Sequence, residues 1–318
     1  MSESQAKEFL PIRISTLRGD LKISFNAYVY VAGKYILYCR HGDSFDGRRL
    51  KRLRKKKLKK LYITSDDEKP YRNYIVQSIE SAYDPKSKKP LSVRAEVIQG
   101  SQQAATEQLM ESPEDEQSYK EAKESSSRYV EFLRKEAFSL KAILDIPNPD
   151  MNLAHHSVTV ASLAVGIAEK LEQTKEVPMD ILTLGCFLHD IEHHYSHVDY
   201  TKVVEEMDSN EKKLYKNHPL KGANRVKDLQ HFDKEVIDII HQHEEYADGS
   251  GFPQGLMAHQ MSPSVLITGT ANTFDRYMSF RKIPVKQALK EMLINYMALH
   301  PLEYLRALQS VLKDKGII

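Results

Sequence analysis

From residue 151 to the end of this 318-residue chain, apolar residues return at helical spacing in one segment after another. The segments lie near 151–172, 179–195, 199–207, 219–230, 233–245, 263–280, 284–298 and 301–314. Prolines at 178, 219, 253, 263, 284 and 301 fall mostly at their starts or in the loops between them. Residues three and four apart share one face of a helix, so such a stretch buries its apolar stripes helix against helix. The C-terminal half is therefore expected to be an all-α domain.

The first half reads differently, which makes the fold class α+β. The stretch FNAYVYVAGKYILYC alternates aromatic and β-branched residues around Ala32-Gly33, the signature of a hairpin. RRLKRLRKKKLKK (48–60) holds ten basic residues in thirteen, with Leu50, Leu53, Leu58 and Leu61 at roughly helical spacing. It reads as a short amphipathic helix with a solvated cationic face; an anionic partner is the alternative. LYITSDD then reads as a strand, YRNYIVQSIESAY as a helix and SVRAEVIQG as a possible strand. Residues 100–127 carry few apolar side chains and are assigned as a linker. This divides the chain into an N-terminal accessory, regulatory domain (1–125) and a helical domain (128–318). Residues 128–144 are expected to form one helix.

A net charge of +2 gives the whole molecule no strong pull on nucleic acid or membrane, and neither is expected as a partner. Cys39 and Cys186 make no disulfide or zinc-ribbon pattern. With no apolar leader in MSESQAKEFL and no membrane-length apolar run, a cytoplasmic location is expected.

Of thirteen histidines, only His41 precedes residue 150. The central stretch is LGCFLHDIEHH (184–194), where His189 and Asp190 interrupt an apolar segment. An imidazole and a carboxylate are costly to bury there without a partner, and a metal ion is one such partner. His193 follows at helical spacing from His189. Other helices carry His156, His218, His241, His243, Glu244, Glu245, Asn272 and Asp275. Nitrogen and oxygen donors without a thiolate suit Fe, Mn or Zn. Five ligand-bearing segments exceed what one ion needs, and a carboxylate such as Asp190 can bridge two, so a two-metal hydrolase is the economical reading. His155, His194, His197, His231, His259 and His300 are read as hydrogen-bonded core residues rather than ligands.

In running order, His156-Ser157-Val158, His189-Asp190-Ile191 and His218-Pro219 with Gly222 resemble the HD-GYP subgroup of the HD superfamily. So do His243-Glu244-Glu245 and the following Asp248-Gly249-Ser250-Gly251-Phe252-Pro253 with Gly255-Leu256. That family comprises bacterial phosphodiesterases that cleave the second messenger cyclic di-GMP at a two- or three-metal centre. The resemblance covers about residues 140–318. It implies His156, His189, Asp190, His218, His243, Glu244, Asn272 and Asp275 as metal ligands, with Asp190 bridging and His241 a rival to Glu244. Two divalent ions follow, Fe first, with Mn or Zn as alternatives. It also implies Arg281, Phe252 and Gly251 around the substrate, with Asp190 and His193 as catalytic residues. His193, read from its own chemistry rather than the family's, would join Arg281 in holding the phosphate or guanine groups or, alternatively, protonate the leaving oxygen. Signalling proteins of the GGDEF type are implied as partners.

This chain departs from the family motif at several points. Phe252 replaces the tyrosine of the GYP motif, His193 a lysine and Glu244 a histidine. In the family's Ala-Asp-x-x-Asp-Ala, the first aspartate is Asn272 and the last alanine is Arg276. The glutamate used for a third metal is Asn152. These losses leave two functions open: a phosphodiesterase, or a degenerate domain that senses cyclic di-GMP or serves as a protein-interaction module.

Overall fold

The computed structural model describes residues 8–19, 21–56, 58–172 and 176–318. Residues 1–7, on which the absence of a leader was read, lie outside them. The chain forms two compact units, 1–104 and 105–318.

In the first unit, strands β1 (Phe9–Arg13), β2 (Ala27–Val31), β3 (Lys34–Cys39) and β4 (Lys60–Thr64) form an antiparallel sheet of order β1-β4-β2-β3. The β2–β3 hairpin turns at Ala32-Gly33, as its alternation predicts; both residues have positive φ. The basic run forms α1 (Gly47–Lys55), whose Leu50 and Leu53 enter the core with Leu61 and Ile63 from β4. Leu58 is exposed. Helices α2 (Glu68–Tyr83) and α3 (Leu91–Glu111) follow, and the boundary between the units falls within α3.

SVRAEVIQG, expected as a strand, therefore lies in a helix. The expected linker is also helical, formed by the end of α3 and by α4 (Glu116–Lys135). The buried face of α4 starts with Tyr119, Ala122 and Ser126, whose polar atoms find specific partners. Ser126 Oγ donates to the carbonyl of Asp180 (3.1 Å), and Tyr119 Oη donates to Asp233 (3.1 Å). A face of tyrosine and serine looks polar by composition yet packs once its hydroxyls are paired. The helix expected over 128–144 breaks, and α5 (Ser139–Leu144) follows.

At the centre of the second unit is α6 (Leu153–Lys170), buried from Leu153 through Ala168. It packs against α5, α7 (Met179–Leu188), α11 (Pro263–Ser279) and α13 (Leu302–Asp314). The expected helix over 179–195 ends at Leu188; Ile191–His194 continue as a 3-10 turn. The expected helix over 199–207 is a 3-10 turn at Val204–Glu206, and α8 (Ser209–Lys216) begins after it under an Asp208–Glu211 capping box. Helices α9 (His218–Val226), α10 (Lys234–Gln242) and α12 (Val285–Asn295) match the remaining apolar segments. Gly185 lets α7 and α10 approach closely, since a Cβ there would lie 2.3 Å from Ile239 Cδ1. This contact sets His189, one residue past α7, and His243, one residue past α10, edge to face with ring centroids 4.9 Å apart. Among the described residues, no helix is long and apolar enough to cross a membrane.

Candidate metal centre

Each candidate ligand sits where its backbone can orient it. His189 and His243 follow the last residues of α7 and α10, and His218 opens α9. In all three, Nδ1 donates to the carbonyl three residues earlier: Cys186 (2.7 Å), Ile240 (3.0 Å) and Tyr215 (2.6 Å). That bond fixes the tautomer and leaves Nε2 as the free lone pair. In His156 on α6, Nδ1 faces Asp275 Oδ2 at 2.5 Å instead.

The four Nε2 atoms converge on Asp190 and divide between its two oxygens. His156 and His189 lie 3.6 and 3.3 Å from Oδ2. His218 and His243 lie 3.2 and 3.3 Å from Oδ1. Two donors about 2.1 Å from a common ion stand roughly 3.0–3.5 Å apart, so these spacings suit an ion on each side of the carboxylate. His218 Nε2 and His243 Nε2 are themselves 3.0 Å apart. With each Nδ1 donating elsewhere, these two nitrogens need a shared proton or a metal ion beside them. Asp190 is fully buried; both its oxygens, His156 Nε2 and His189 Nε2 lack hydrogen-bond partners among the described residues. Buried polar atoms seldom go unpaired, so this orphaned set of oxygens and nitrogens fits divalent metal. Burial pushes the Asp190 carboxyl up, but the neighbouring imidazoles, His189 and His193 foremost, outweigh it and hold the group well below the usual carboxylate range.

Two further side chains join the Oδ1 side. Glu244 Oε1 is 4.0 Å from His243 Nε2, and His193 Nε2 is 3.8 Å from Asp190 Oδ1. The triads His156–His189–Asp190, Asp190–His193–His218 and His218–His243–Glu244 each bring their ligand atoms within 4.8 Å of one another. His193 gets there from the 3-10 turn, not by helical stacking on His189. It is buried against His218 and Tyr200, and burial followed by the His218 imidazole pushes its pKa well down. Both its nitrogens lack hydrogen-bond partners among the described residues, which suits a ligand better than a leaving-group acid.

The other expected ligands border the cluster without joining its triads of histidines and carboxylates. Asp275 orients His156 rather than entering a triad. Asn272 donates to Glu244 Oε1 (3.4 Å), and its own Oδ1 is buried without a partner. His241 joins none of the triads. Asn152 caps α6 by accepting from the His155 amide (2.9 Å).

Beside this cluster lies a cavity of about 410 Å³, with Glu244 in the wall between them. Arg281 and Phe252 line it, as the motif implies; Gly251 does not. Gly251 serves the loop fold: a Cβ there would lie 2.3 Å from the Tyr246 amide nitrogen. Glu245 holds the same loop, Oε1 accepting from the amides of Gln254 (2.6 Å) and Gly255 (3.2 Å) and Oε2 from that of Leu256 (2.9 Å). Sequence reading missed Tyr215, whose hydroxyl donates to Glu244 Oε1 (3.0 Å), and Arg276, another lining residue. Their positions, three before His218 and one after Asp275, are the signals that were available.

The family described as HD domain matches residues 197–298. Bd1817, a HDG"Y"P protein from Bdellovibrio bacteriovorus, shares 43% identity and superposes with a TM-score of 0.91, covering 96% of this chain and all of that one. The chain belongs to the HD-GYP family. This HD-GYP protein is also 26% identical over 143 residues to the cyclic di-GMP phosphodiesterase PA4108 of Pseudomonas aeruginosa. That match spans 45% of this chain and 34%, about a third, of the relative. The HD domain of the Listeria monocytogenes phosphodiesterase PgpH, solved with cyclic-di-AMP, is 17% identical with a TM-score of 0.38, covering 56% of this chain and 95% of that one.

Proposed function

We propose that this HD-GYP protein hydrolyses a phosphodiester bond of cyclic di-GMP at a binuclear metal centre bridged by Asp190. The observation that carries this reading is the division of four imidazole Nε2 atoms between the two oxygens of one buried carboxylate. His156, His189 and Asp190 Oδ2 would hold one ion, and His218, His243 and Asp190 Oδ1 the other, with Glu244 and His193 nearest the second. The all-nitrogen-and-oxygen donor set suits iron, with manganese or zinc as alternatives. Divalent ions at such a site lower the pKa of water and take up charge on phosphoryl oxygens.

The protein's own groups do the rest. Asp275 and the backbone carbonyls aim the imidazoles, while Tyr215 and Asn272 hold Glu244 at the cavity wall. Arg281 and Phe252 receive the substrate, the phenylalanine offering a ring to pack against but no hydroxyl. Cyclic di-GMP as substrate is supported by the Pseudomonas aeruginosa relative. The strand-containing N-terminal unit acts as an accessory, regulatory domain.

Anaerobic incubation of iron- or manganese-loaded protein with cyclic di-GMP tests the reading. Linear product that disappears in Asp190→Ala supports it. Tight binding without turnover points instead to a sensor, the role favoured by the replaced motif positions Phe252, His193, Glu244 and Asn272. Neither binding nor turnover would refute both.

A further inference from the structure

The cavity beside the cluster contains a cation that the family motif does not account for. Arg276, on α11, stands where the motif has alanine. Its guanidinium lies between two aromatic rings, 5.3 Å from the centroids of both Tyr215 and Phe280. Nη2 donates to the carbonyl of Tyr200 (3.0 Å). Nη1 is buried and has no hydrogen-bond partner, and no carboxylate lies within ion-pair distance of the group among the described residues. The other lining cations are occupied or more exposed: Lys202 pairs with Glu211 (2.6 Å), Lys216 lies over Phe252, and Arg281 stacks on Tyr277.

Arg276 is half-buried and always charged, and leaving its buried Nη1 donor unpaired is unfavourable unless an acceptor completes it. Its planar fork suits a phosphate, and the aromatic rings and the Tyr200 carbonyl hold it in place beforehand. We propose that Arg276 is the principal phosphate-binding residue of the cavity, holding a phosphate oxygen of the substrate through Nη1. This rests on the phosphodiesterase reading for the identity of the substrate, but not for the phosphate site itself.

Isothermal titration of the metal-loaded full chain with cyclic di-GMP, and separately with inorganic phosphate, tests this in wild type, Arg276→Gln, Arg276→Lys and Arg281→Gln. Arg276→Gln should weaken both ligands by about ten-fold or more, as expected for losing a hydrogen bond to a charged group. Arg276→Lys should recover part of the loss, and Arg281→Gln should weaken binding less. Metal content should be unchanged, and the melting temperature without ligand should change little. Wild-type affinity in Arg276→Gln would overturn the proposal; so would weakened binding that tracks lost metal or a lowered melting temperature. If the wild type binds no cyclic di-GMP, the substrate reading fails and Arg276 is judged on phosphate alone. Weaker phosphate binding in Arg276→Gln then supports it, while unchanged binding, or no phosphate binding in the wild type, refutes it.

Discussion

Asp275 Oδ2 lies 2.5 Å from His156 Nδ1, on the side of the ring away from the metal cluster. A carboxylate there accepts a hydrogen bond from Nδ1–H, holding the proton on Nδ1 and leaving Nε2 free to coordinate. Removing such a partner lowers metal affinity without removing a ligand. Asp275→Ala should weaken metal binding by about 10–100-fold while the helical far-ultraviolet spectrum is kept. Competition against a chelator of known affinity measures this. Wild-type affinity would show that His156 needs no such support.

The motif loop hangs on one carboxylate. Three backbone amides, those of Gln254, Gly255 and Leu256, donate to buried Glu245. Glu245→Ala strands them and should cost about 2–3 kcal/mol in urea unfolding. Gly251→Ala acts on the same loop through close contact, since its Cβ would press on the backbone of Tyr246 and Glu245. Both variants should raise KM for cyclic di-GMP more than they alter metal content. A variant with unchanged unfolding and unchanged KM would contradict the anchoring role.

His300 is buried, and burial holds its pKa down to about 4. Its ring lies among hydroxyls, with Nε2 3.0 Å from Thr273 Oγ1. In the unfolded chain it titrates near 6.5, so the unfolded state takes the proton first as pH falls. Its contribution is fully present above about pH 6.5 and is lost progressively between 6.5 and 4, by no more than roughly 3 kcal/mol. The stability difference between wild type and His300→Gln should therefore shrink as pH is lowered through that window. A difference independent of pH would show that His300 is not held neutral.

Much of the fold was legible because α6, α9, α10, α11 and α13 pay for burial with continuous aliphatic stripes. What escaped reading did so for identifiable reasons. Helix α4 buries tyrosine and serine in a charged segment with few aliphatic residues to mark a stripe, and its pairing with Asp180 and Asp233 is far away in sequence. The end of α7 at Leu188 has no glycine or proline to announce it; the turn at Asp190 is what lets His193 reach the cluster. The histidines of the centre were visible because the motif spaces them around His189-Asp190. Arg276 was not, because an arginine at a helix's later turns ordinarily reads as solvated surface. Only the packing of Tyr215 and Phe280 beside it reveals a half-buried cation with one buried, unpartnered nitrogen.

The account stands on Asp190 as the bridge between two ions. Metal content per chain, measured by elemental analysis on protein loaded with iron or manganese, tests this directly. About two ions per wild-type chain are predicted, with both lost or greatly weakened in Asp190→Ala, because each depends on one oxygen of the same carboxylate. A wild-type chain that binds no more than one ion, or an Asp190→Ala chain that keeps two, would contradict it.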